Sequence, residues 1–96
     1  MKIYISGPIS GNENFIEEFN NAAIKLQTEF PNCEIINPAP LNNCLPKSTT
    51  WQQYMDVCIP MLDQADAIYM INGWKKSSGA CVEYGYALAT DKIILR

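Results

Sequence analysis

Histidine is absent from this chain of 96 residues. Its absence removes the Ser-His and Cys-His pairs that activate many side-chain nucleophiles. The four cysteines, Cys33, Cys44, Cys58 and Cys81, form no Cys-x-x-Cys pair. Zinc sites need closely spaced Cys or His ligands, so no metal is expected, and no cofactor is called for. The cysteines read as small apolar filler, kept as free thiols in a reducing cytoplasm. Basic residues are also scarce: seven Lys and Arg stand against ten Asp and Glu, giving a net charge of −3. A nucleic-acid polymer needs a basic face to neutralise phosphates, so none is expected as a partner. A small anion stays open, because helix N-termini and backbone amides hold phosphate without net positive charge. No apolar stretch approaches the ~18 residues of a membrane span. Lys2 to Ser6 reads as a strand and not as a signal-peptide core.

What is present suits one domain over residues 1–96. Hydrophobic residues make up 48% of the chain, enough for a single core. A domain of this size buries only roughly 60–65% of its unfolded surface, so self-association would not surprise. Ile3 to Ser6 is β-branched and aromatic and ends at Gly7-Pro8, which marks a buried strand followed by a loop. Asn14 with Glu17 fits a capping box. Phe15, Phe19, Ala22, Ala23, Leu26 and Phe30 then recur at helical spacing until Pro31. Glu34 to Asn37 is a second strand. Residues 38–50, with three prolines, form the longest irregular stretch, and such loops are often functional. Thr50 caps a helix with an apolar face of Trp51, Tyr54, Met55, Cys58, Met61 and Leu62; Pro60 suggests a kink or break. Asp66 to Ile71 is a third strand, a helix spans about Ala80 to Thr90, and Lys92 to Leu95 is a fourth strand.

Strands alternate with helices throughout. That order predicts an α/β three-layer sandwich: a four-stranded parallel, Rossmann- or flavodoxin-like sheet flanked by helices. Ligands of such sheets lie outside the carboxyl ends of the strands. Three segments reach that edge: Ser6 to Gly11, Asn37 to Thr49, and Asn72 to Gly79. The last helix opens onto the same crevice. Its inward stripe should hold Ala80, Tyr84, Ala87 and Leu88, with Glu83 at the border. A carboxylate there is raised in pKa by desolvation and lowered by the helix N-terminus. It could attack an anomeric carbon, or it could be a solvated residue that complements the helix dipole. Trp74 allows ligand contact, subunit contact or packing, whereas Trp51 reads as helix packing. Asn72 fits a ligand contact or a turn before Gly73. Gly7 to Gly11 fits a phosphate loop, or only a sharp turn.

Ser77-Ser78-Gly79-Ala80-Cys81-Val82-Glu83-Tyr84-Gly85-Tyr86-Ala87 resembles the nucleophile segment of the nucleoside 2-deoxyribosyltransferases. Ile3 to Gly11 resembles that family's first strand and binding loop, and Asp63 to Tyr69 the entry to its third strand. Ile71-Asn72-Gly73-Trp74 followed by Ser77-Ser78-Gly79-Ala80 is similar to a compact branch common in phages and bacteria. The resemblance implies cleavage of the N-glycosidic bond of a nucleoside or nucleoside 5′-monophosphate, by hydrolysis or base transfer. It implies Glu83 as nucleophile, Tyr4 as the residue that orients it, and a homo-oligomer. The binding residues would be Ser6, Gly7, Pro8, Ser10, Gly11, Asn72, Trp74, Ser77, Ser78 and Gly79. Two positions depart from the pattern. Ser77 stands where the family has an aspartate that holds the sugar. Cys58 stands where it has one near the base, and Asp56 points about 160° away on the same helix. These departures suit a hydrolase, or a non-catalytic binding protein for a nucleotide-like small molecule.

Overall fold

Strand β1 (Lys2–Ser6) is buried at four of its five positions. A parallel strand covered on both faces reads as a continuous apolar run, and Ile3-Tyr4-Ile5 does so. The computed structural model, which describes all of residues 1–96, sets this strand inside a four-stranded sheet. Its neighbours are β2 (Glu34–Ile36), β3 (Ala67–Met70) and β4 (Ile93–Leu95). The spatial order is β2-β1-β3-β4 and every pairing is parallel. This is the flavodoxin-like order, and its switch point lies between β1 and β3.

Side chains alternate across the sheet and so divide the core in two. Ile3 and Ile5 face helix α1 (Phe15–Glu29), where they pack with Phe19, Ala22 and Leu26. Tyr4 faces the opposite layer, formed by α3 (Trp51–Asp63) and α4 (Ser78–Ala89), with Leu62, Ile68, Ala80 and Ala87 around it. Ser6, two residues on, shares that second face.

Local chemistry explains the element ends, with some corrections to the sequence reading. Asn14 makes no side-chain cap on α1. Asn12 organises the turn instead: its amide donates to the Pro8 carbonyl and to Glu18, and its Oδ1 accepts from the Asn14 amide. Thr50 does cap α3, in a full capping box with Gln53. α3 runs unbroken through Pro60 to Asp63, so no helix break occurs there. Pro60 is exposed and stands in the last turn of the helix. The stretch after β2 is less irregular than its prolines suggest, since α2 (Leu41–Cys44) forms within it. Ser77 caps α4, its Oγ accepting from the Ala80 amide at 3.2 Å, so that helix starts at Ser78. Leu88 is 51% exposed and not part of the inward stripe. The buried stripe of α4 is Ala80, Glu83 and Ala87.

Candidate functional site

Glu83 is 6% exposed, and Ser6 is the only other buried polar or charged residue. An ionised carboxylate removed from water is costly unless its oxygens are hydrogen-bonded. Both are. The Tyr4 hydroxyl donates to Oε2 at 2.5 Å and the Ser6 hydroxyl donates to Oε1 at 2.7 Å. The two donors are i and i+2 on β1, so one pleat aims both at the same carboxylate. Burial pushes the Glu83 carboxyl above its usual value, while the Tyr4 and Ser6 hydrogen bonds pull it back down in part. Tyr4 is held well above the usual phenol range by burial first and then by the charge of Glu83, so it stays protonated and able to donate.

Glu83 and Tyr4 form the inner wall of a cavity of about 510 Å³ beyond the carboxyl ends of β1 and β2. Its size is that of a small-molecule site. One side is the loop from Gly7 to Ser10; the second is the stretch from Pro38 to Thr50; the third is the first turns of α3 and α4. Gly7 is required for a close approach: a Cβ there would stand 2.8 Å from the Ile71 Cβ. Gly11 takes a left-handed φ of +74° in the turn beyond and faces open space.

Among the residues singled out in the sequence, Tyr4, Gly7, Pro8, Ser10, Ser77, Ser78, Gly79 and Glu83 line this cavity. Ser6 joins them through its bond to Glu83. Gly11, Asn72 and Trp74 do not line it. Asn72 is exposed, and Trp74 stacks on Tyr84 with ring centroids 4.6 Å apart. Packing, one of the three readings left open for Trp74, is what the structure places there. Trp51, read from its spacing as helix packing, is the tryptophan that reaches the cavity. Trp51 is 47% exposed and lines the cavity, its Nε1 lying 3.7 Å from the position of a Cβ on Gly79.

Helical spacing hid Trp51, because it shares a face with Met55 and Cys58. The signal that could have revealed it was Thr50: a capped first residue sits at the helix mouth, where the crevice opens. Lys47, Tyr54 and Lys76 also line the cavity and carried no sequence signal beyond their segments. Cys58 is buried against the same wall, its thiol pushed up by burial. Asp56 faces the outer groove and accepts from Gln52 at 3.0 Å, so it does not replace an acid at position 58. No group of three or more Cys, Asp or Glu side chains gathers anywhere as a metal-binding cluster.

A four-stranded parallel sheet in this order, with helices on both faces, gives the chain a flavodoxin-like fold, and its last helix presents a buried carboxylate near the switch point. A solved structure of a 2-desoxiribosyltransferase from Leishmania mexicana matches it with a TM-score of 0.70 and 24% identity, over 98% of this chain. At that identity the likeness is one of fold. The chain spans 61% of the length of that protein. The chain belongs to the family described as domain of unknown function DUF4406, whose model matches residues 1–96. No curated protein matches it. No helix is long and apolar enough to cross a membrane.

Proposed function

We propose that the protein cleaves the N-glycosidic bond of a nucleoside or nucleoside 5′-monophosphate, with Glu83 as nucleophile. The observation that carries this reading is the buried Glu83 carboxylate, held by Tyr4 and Ser6 at the inner wall of a ligand-sized cavity. A carboxylate with two fixed donors and little water is oriented before substrate arrives, which is how positioning lowers a barrier. In the reaction, a Glu83 oxygen bonds to the anomeric carbon as the carbon–nitrogen bond breaks. The bonding pair leaves with the base, which takes up a proton. Water, or a second base, then releases the sugar from the glutamyl ester. Tyr4 stays hydrogen-bonded to the carboxylate and sets its direction. Trp51 offers an aromatic face to the base.

The lining contains no carboxyl other than Glu83. The proton for the leaving base therefore comes from solvent, since burial raises the Cys58 thiol and the Tyr54 phenol and makes both weaker acids. That same observation favours a second reading, a binding protein that holds such a molecule without turning it over.

The test is release of free base, read by chromatography. The wild type and Glu83→Ala are incubated with ribo- and deoxynucleosides and their 5′-monophosphates, with and without an acceptor base. Base release by the wild type alone is the expected result. No turnover by either protein, together with thermal stabilisation by one of the compounds, would select the binding protein.

A further inference from the structure

The charge around the cavity does not follow the charge of the chain. The protein is acidic overall, and most of its cationic side chains are engaged. Lys25 pairs with Glu29 and Tyr69. Lys92 donates to the carbonyls of Asp63 and Ala65. Arg96 meets Tyr84, and Lys75 lies over the Trp74 ring. Lys2, Lys47 and Lys76 are left without an ion pair or a side-chain hydrogen bond. Lys2 is at the far, amino end of β1. Lys47 and Lys76 both line the cavity, although 28 other residues separate them in the chain.

Each of these two lysines stands just before a helix that starts at the cavity. Lys47 precedes the Thr50 cap of α3, and Lys76 precedes the Ser77 cap of α4. Both helices are long enough to add about half a positive charge at their first turns. The one carboxylate in the lining, Glu83, is deep and has both oxygens engaged. The outer part of the cavity is thus positive, and hydroxyls of Ser10, Thr49 and Ser78 stand in its lining.

We propose that the ligand is phosphorylated, and that Lys47 and Lys76 together bind its phosphate, so that the protein takes nucleoside 5′-monophosphates in preference to free nucleosides. The nucleoside half of this statement rests on the function proposed above; the phosphate half rests on the two lysines. A phosphate monoester carries close to two negative charges near neutral pH, which two ammonium groups balance. Exposed lysines and a buried carboxylate lining one cavity suit a phosphate held apart from the bond that breaks. The lysines set specificity and do not touch the bond that breaks.

Binding without turnover tests this directly. Isothermal titration calorimetry on the Glu83→Gln protein, checked for a cooperative melt, would compare 2′-deoxynucleosides, their 5′-monophosphates and inorganic phosphate. A carbocyclic nucleoside and its 5′-monophosphate, which have no glycosidic bond to break, serve the same purpose for the wild type. The monophosphates are expected to bind about ten-fold or more tightly than the matching nucleosides, the scale of one charge-assisted contact. The exposed Lys47→Gln/Lys76→Gln pair should remove that preference, leave nucleoside affinity in place, and flatten the salt dependence of monophosphate binding. Equal affinity for nucleoside and monophosphate, or a preference that survives the double substitution, would overturn the proposal. Preferential monophosphate binding without any base release by the wild type would overturn catalysis and leave the phosphate site standing.

Discussion

Replacing Tyr4 by Phe removes one oxygen atom and isolates the hydrogen bond that organises the site. The ring stays packed between Leu62, Ile68 and Ala80, so no cavity opens. What is lost is a donor to a carboxylate that is 6% exposed. A hydrogen bond to a charged group contributes ~1.5–3 kcal/mol. For a domain of this size each kcal/mol moves the melting point by ~4–8 °C, so the expected fall near neutral pH is about 6–24 °C. The loss depends on pH with a defined sign. Burial raises the Glu83 carboxyl above its ordinary value of 4.5, and the Tyr4 bond lowers it. Without that bond the folded-state value rises further. A carboxyl with a raised folded value favours the native state fully below the unfolded value and loses that contribution as pH rises through the folded one. Tyr4→Phe is therefore most harmful near neutral pH and least harmful below pH 4.5. Thermal melts followed by circular dichroism across that range measure both quantities. An unchanged melting point, or a fall of equal size at both ends, would refute the account of Glu83 as an ionised group held by Tyr4. In the base-release assay the same variant should shift the acidic limb of the pH profile upward.

Glu83→Gln should raise the melting point near neutral pH, because a neutral amide avoids the burial cost that raises the carboxyl, and this advantage should vanish at acid pH; base release should be lost at every pH. Gly7→Ala brings a Cβ to 2.8 Å from the Ile71 Cβ, an overpacking that costs ~1–3 kcal/mol. Denaturant midpoints would show it, and an unchanged midpoint would mean that β1 and the loop shift freely. Trp51→Ala should weaken ligand binding by ~1–3 kcal/mol if its face stacks on a base. Its effect on the melting point should be small, since the residue is half exposed; calorimetry and a thermal melt on one preparation separate the two.

The order of strands and helices was legible because each element carries its own signal. Ile3-Tyr4-Ile5 is apolar without a break, Phe19, Ala22 and Leu26 recur at helical spacing, and Thr50 marks a start. Parallel pairing and helices on both faces then follow from connection rules alone. The place of Glu83 at the crevice was legible too, from a charged residue beside an apolar stripe and from motif resemblance. Its full burial was not, because Leu88 offered an equally good hydrophobic stripe and only packing against β1 decides between them. The Asn14 cap misled for a similar reason: Asn12 competes for the same turn, and local sequence does not rank the two.

The sequence by itself determined the alternation of elements and the sheet edge where a ligand would lie, together with the carboxylate that faces it. These depend on short-range periodicity and on backbone handedness, which any chain of this pattern shares. Only the tertiary structure decided which side chains meet there. Glu83 is separated from Tyr4 and Ser6 by most of the chain, and one pleat of β1 against one face of α4 brings them together. Trp51 took the cavity and Trp74 the packing against Tyr84, since helix starts and loop paths set direction where spacing does not. Lys47 and Lys76 line one cavity because two helices begin at the same opening, a relation between distant segments that no local pattern encodes.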